Sequence, residues 1–96
     1  MPDVTDPRVV FIFSVLDKSG VRITDFARLT RITRATLHRW RTGGNITDNL
    51  RRDLAYTYAL RLDQATTAGK LPFTNKLKKH ERVTALRKII SNTSAR

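Results

Sequence analysis

Arg34, Ala35, His38 and Arg39 fall between positions 34 and 39, inside the stretch FARLTRITRATLHRWRTGG that spans residues 26–44 and holds five arginines. With Leu37 set to zero and about 100° turned per residue, Leu37 and Trp40 define an inward direction near −30°. Arg34, His38, Thr42, Ala35 and Arg39 then occupy the opposite arc, from roughly +60° to +200°. That face is rich in donors and small at Ala35. Arginine presents two parallel N–H donors, which match the O6 and N7 acceptors of guanine in the major groove of DNA. An alanine beside it lets a backbone approach closely or lets its methyl group meet that of thymine. The chemistry expected of Arg34, Ala35, His38 and Arg39 is therefore base reading.

A second set of residues suits the phosphate backbone. Thr33 and Thr36 sit at the start of the same segment, where hydroxyls and free backbone amides point toward an anion. Arg28, Arg31, Arg41 and Thr42 flank it, and they are expected to grip phosphates; a solvated surface role is the alternative for the three arginines.

These residues need elements to position them. Asp6 before Pro7 caps a first helix through RVVFIFSVLDKS, which Gly20 ends. The apolar run VVFIF within it also suits a buried strand, but no later segment offers that strand a partner. Thr24 is read as the cap of a short helix over residues 25–30, with Phe26, Ala27 and Leu29 inward and Arg28 outward, and Asp25 at its positive end. Thr33 caps a third helix, RATLHRWR, which Thr42, Gly43 and Gly44 end. Thr47 with Asp48 starts a longer fourth helix closed by Gly69, its inner stripe read as Leu50, Leu54, Tyr58, Leu62 and Ala65. After a break at Pro72, Thr74 or Asn75 caps a basic last helix over residues 74–91, with Leu77, Val83, Leu86, Ile89 and Ile90 inward and a frayed polar end. The fold class expected is all-α, about five helices in a single domain over residues 1–96.

The bulk composition narrows the function. The 96 residues carry 19 Lys and Arg against 8 Asp and Glu, a formal charge of +11, so a polyanionic partner is implied. Residues 22–52 hold eight arginines against Asp25 and Asp48, and residues 70–96 hold eight basic residues against Glu81 alone. The C-terminal KLKKHERVTALRK is read equally as a second backbone clamp or as a solvated helix face. There is no cysteine, which fits a reducing cytoplasm and leaves no thiolate metal site; His38 and His80 are too few to build one. No paired acid and base suggests catalysis, so neither an enzyme nor a cofactor is expected. The VVFIF run is too short to cross a membrane.

The segment ITDFARLTRITRATLHRWRT, residues 23–42, resembles the helix-turn-helix of phage repressors and Lac-repressor-like regulators, and TLHRWRTGG before a long helix is similar to small Cro-like proteins. Phe26 and Ala27 match the apolar and small positions of the first helix. Ile32 matches the apolar residue after the turn, and Leu37 and Trp40 match the anchors of the second helix. The resemblance implies a helix-turn-helix over residues 24–42, with Arg34, Ala35 and Arg39 meeting bases and Thr33 touching phosphate. It also implies left-handed backbone in the turn, where the family usually has glycine and this chain has Arg31, at a cost on the order of 1 kcal/mol.

The function expected is a sequence-specific double-stranded DNA-binding regulator, a repressor of phage or mobile-element origin that binds as a homodimer. Alternatives are a DNA-targeting component of a packaging, excision or transposition assembly, a basic RNA-binding protein, or a helical module for an acidic protein. Exposed aromatics for base stacking would favour RNA; the aromatic content is 7%, mostly at core-like spacings.

Overall fold

In the computed structural model, which describes residues 6–43, 49–74 and 76–93, the chain forms five helices: α1 (Pro7–Ser19), α2 (Ile23–Thr30), α3 (Arg34–Arg41), α4 (Asn49–Thr67) and α5 (Lys79–Thr93). No strand occurs among the described residues. The all-α expectation holds, and VVFIF lies within α1.

Asp6 begins α1 by accepting from the backbone N–H of Arg8, with Pro7 in the first turn. Gly20 ends it at φ 71°, a left-handed position, and an added Cβ there would lie 2.9 Å from the Pro72 Cβ. The glycine is thus required twice, by its own backbone and by the return of the chain at Pro72. Val9, Ile12, Val15 and Leu16 are buried along one helical face, while Val10 stays half exposed.

The partner of that face is α4, and here the expected inner stripe is corrected. Ala55, Ala59, Leu62 and Ala65 are the buried positions. Leu50 and Leu54 are exposed, at 84% and 42%, and Tyr58 is only partly buried. Small residues let the α1 and α4 backbones approach closely, so the alanines take the seam and the larger side chains are displaced to its flanks. Phe11 and Tyr56 meet at such a flank, with ring centroids 5.3 Å apart. The expected starts of α4 at Thr47 and Asp48, and of the last helix at Asn75, lie outside the described residues, as does Gly44.

Two other boundaries differ from expectation. Thr24 does not cap α2; Arg22 is the N-cap, without a side-chain hydrogen bond, and Thr24 lies within the helix. Starting earlier places Ile23 on the same face as Phe26 and Ala27, at the helical spacings of three and four, and all three pack into the core. The last helix starts at Lys79 rather than Thr74, and Leu77, expected on its inner stripe, precedes it and is half-buried. The Glu81 carboxylate accepts from the Lys78 N–H at 2.7 Å and so satisfies a free amide at the helix start. Arg82 takes the Leu77 carbonyl at 2.9 Å through Nη1, which holds the incoming chain off the helical path. Val83, Leu86 and Ile90 are buried, and α5 continues to Thr93.

Asp25 stands in the first turn of α2, as expected, and it is buried, with 1% of its surface accessible. Its Oδ2 accepts from the Arg82 Nε at 2.7 Å, so an internal ion pair locks α5 onto α2. Its Oδ1 is buried without a hydrogen-bond partner among the described residues.

Candidate nucleic-acid interface

The site is built on α2, a three-residue connection at residues 31–33, and α3. After the turn, Ile32 is 1% exposed, beside Phe26, Leu29, Leu37 and Trp40 in one core. Arg31 makes the turn at φ 62°, ψ 26°, the left-handed conformation. Thr30 seals it: its buried hydroxyl donates to the Phe26 carbonyl at 2.9 Å and accepts from the Ile32 N–H at 3.3 Å. A third tie comes from α4, where Arg51 Nη1 donates to the Arg31 carbonyl at 3.4 Å.

Thr33 then caps α3, accepting from the Thr36 N–H at 3.2 Å. Leu37 and Trp40 are buried at 0% and 2%, and they fix the rotation of this eight-residue helix. Every residue assigned to the opposite arc is exposed: Arg34, Ala35, His38, Arg39 and Thr42. Thus Arg34 and Arg39 project from the same side of one short rod, with Ala35 between them.

The residues assigned to the phosphate backbone are distributed more unevenly. Arg28, Arg31, Thr33 and Arg41 are exposed, and Thr36 is half-buried. The Thr33 hydroxyl donates to the Thr36 hydroxyl at 2.8 Å, so its proton is already engaged while that of Thr36 remains to donate. Thr42 donates to the carbonyls of His38 and Arg39, at 3.1 and 3.2 Å, which satisfies the end of α3. The Arg41 guanidinium lies 5.7 Å from the centre of the Phe13 ring. Stacking uses the face of that group and leaves its N–H edges for other acceptors.

Electrostatics separate this surface from the rest of the molecule. Three carboxylates beside α1 and on α4 are committed: Asp6 to Arg52 at 3.0 Å, Asp53 to Arg52 and Arg8 at 3.2 and 3.7 Å, and Asp63 to Lys18. At Arg52 desolvation opposes the charge, but the hydrogen bonds it donates to Asp53 and Asp6 outweigh it and raise the pKa above the ordinary arginine value. Asp25 is spent internally on Arg82. Arg28, Arg31, Arg34 and Arg39 have no carboxylate partner among the described residues.

No protein-family model, curated protein or solved structure matches this chain. Its interface therefore has to be read from its own chemistry.

That chemistry includes residues the sequence reading missed. Thr24, Ala27, Arg28, Arg34 and Lys79 line one shallow groove, so the start of α5 stands beside the start of α3. Lys79 joins the surface because α5 is docked against α2, where the Asp25–Arg82 pair ties the two helices, and no local pattern signals that pairing. Arg51 is legible in the sequence as charge, whereas its bond to the turn follows from the packing of α4. Among the described residues no cluster of His, Cys, Asp and Glu could hold a metal ion, and no helix is long and apolar enough to cross a membrane.

Proposed function

We propose that this protein is a sequence-specific double-stranded DNA-binding regulator in which α2 and α3 act as a helix-turn-helix. The observation that carries the reading is the outer face of α3, where Arg34 and Arg39 are exposed, without a carboxylate partner among the described residues, on a helix whose rotation is fixed by buried Leu37 and Trp40. Such a rod fits a major groove, with Arg34 and Arg39 donating to guanine edges and Ala35 and His38 completing the contact. Arg28, Arg31, Arg41 and Thr36 grip the adjoining backbone, which sets register without reading sequence, while Thr33 and Thr42 spend their hydroxyl protons inside the chain. Binding as a homodimer would place two such rods roughly 34 Å apart, one turn of the double helix. Occupying an operator in this way blocks polymerase, so the regulator acts as a cytoplasmic repressor of the phage or mobile-element kind.

The test is selection of bound fragments from random duplex DNA, followed by the Arg39→Ala variant on the selected site. The variant should lose about 1–3 kcal/mol on that site and show relaxed base preference nearby. Full retention of both affinity and preference would refute the assignment of α3 as the reading helix.

A further inference from the structure

A second groove shares Arg28 with the first. It lies between α2 and α5, lined by Arg28, Arg31, His80, Thr84 and Arg87 over a floor at Val83. Arg28 lines both grooves, so the cations lining one adjoin those lining the other through it. No acidic residue lines either groove, and Arg87 and Lys79, like Arg28 and Arg31, have no carboxylate partner among the described residues.

Three like-charged guanidinium groups converging on one groove repel one another, and a bound anion relieves that repulsion. The convergence is supported from within, because the Asp25–Arg82 pair ties α5 to α2 and Val83 and Leu86 of α5 are buried. The groove is shallow and open to solvent. Small-molecule sites enclose most of their ligand, whereas an open cationic track suits a polymer that passes along it.

We infer that the α2–α5 groove is a phosphodiester seat: Arg28, Arg31 and Arg87 hold backbone phosphate of the same duplex that α3 enters, and Lys79 continues the grip toward Arg34. This rests on the reading of α3 as the DNA-entering helix. It assigns α5 to the footprint and so extends the contact beyond the helix-turn-helix. The seat adds affinity and register without base preference.

The test uses the full chain and titrates salt. Each phosphate contact steepens the fall of log K with log salt by about 0.9, which corresponds to about a 3.5-fold change in affinity between 50 and 200 mM salt. Lys79→Gln with Arg87→Gln should therefore lessen the loss of affinity over that range by about 12-fold, equally on a selected site and on random duplex. Arg87→Lys should keep the wild-type slope. Lys70→Gln, which removes a charge lining neither groove, should leave it unchanged. If the α5 variants keep the wild-type slope while Arg39→Ala still loses base preference, the seat is refuted and the reading of α3 stands. If the wild type does not bind duplex DNA, or RNA displaces the duplex at equal concentration, both are refuted.

Discussion

Replacing Arg82 by methionine should destabilise the protein far more than replacing its partner Asp25 by alanine. The asymmetry comes from where each charge is left. Asp25 is 1% exposed and its Oδ1 already lacks a hydrogen-bond partner among the described residues, so loss of Arg82 strands the whole carboxylate in the interior. Breaking a buried pair in this way costs about 3–5 kcal/mol. Because the Arg82 side chain is 21% exposed, solvent reaches the site and the lower end applies, about 3 kcal/mol. Loss of the bond from Arg82 to the Leu77 carbonyl adds about 1 kcal/mol. Asp25→Ala, by contrast, frees a guanidinium that can swing to water, and a cost of about 1–2 kcal/mol is expected from the lost bond and the small cavity. Urea unfolding followed by circular dichroism measures both, with the midpoint shifting at constant m-value. The double variant Asp25→Leu, Arg82→Met should recover most of the loss seen in Arg82→Met. Equal costs for the two single variants, or a double variant no better than Arg82→Met, would refute the reasoning.

Further expectations concern backbone and packing. Gly20→Ala should cost about 2–4 kcal/mol, from a left-handed alanine and its collision with Pro72, whereas Gly69→Ala, left-handed at φ 82° but with nothing within 4 Å of the added carbon, should cost only about 1–2 kcal/mol by thermal unfolding. Ala59→Leu should wedge α1 from α4 and cost about 1–3 kcal/mol, while Leu50→Ala should stay within about 0.5 kcal/mol, reversing the order that apolar spacing alone suggests. Arg31→Gly should gain about 0.5–1 kcal/mol of stability by relieving a strained φ, and a salt titration should show it losing about one phosphate contact. A loss of stability in Arg31→Gly would mean that the side chain contributes packing that outweighs the strain.

The sequence discloses local decisions well. Asp6 with Pro7, Thr33 and Gly20 act where capping and left-handed preference place them, and Leu37 with Trp40 orient α3 as their spacing requires. What stayed hidden is decided between elements. Hydrophobic spacing on α4 favours the leucines, but the seam with α1 rewards close approach and selects Ala55 and Ala59. Asp25 matches an acidic residue at a helix start, and only the docking of Arg82, 57 positions later, turns it into an internal pair. The neighbourhood of Lys79 and Arg34 follows from that same docking, so half of the candidate surface was legible as charge without being legible as shape.

The disposition of ion pairs has a consequence for encounter in solution. With Asp6, Asp53 and Asp63 neutralising cations along α1 and α4, while Arg28, Arg34, Arg39 and Lys79 have no carboxylate partner among the described residues, the protein carries a lopsided field. A torque therefore acts on the molecule as it nears a polyanion, turning the α3 side forward before contact and raising the share of productive collisions.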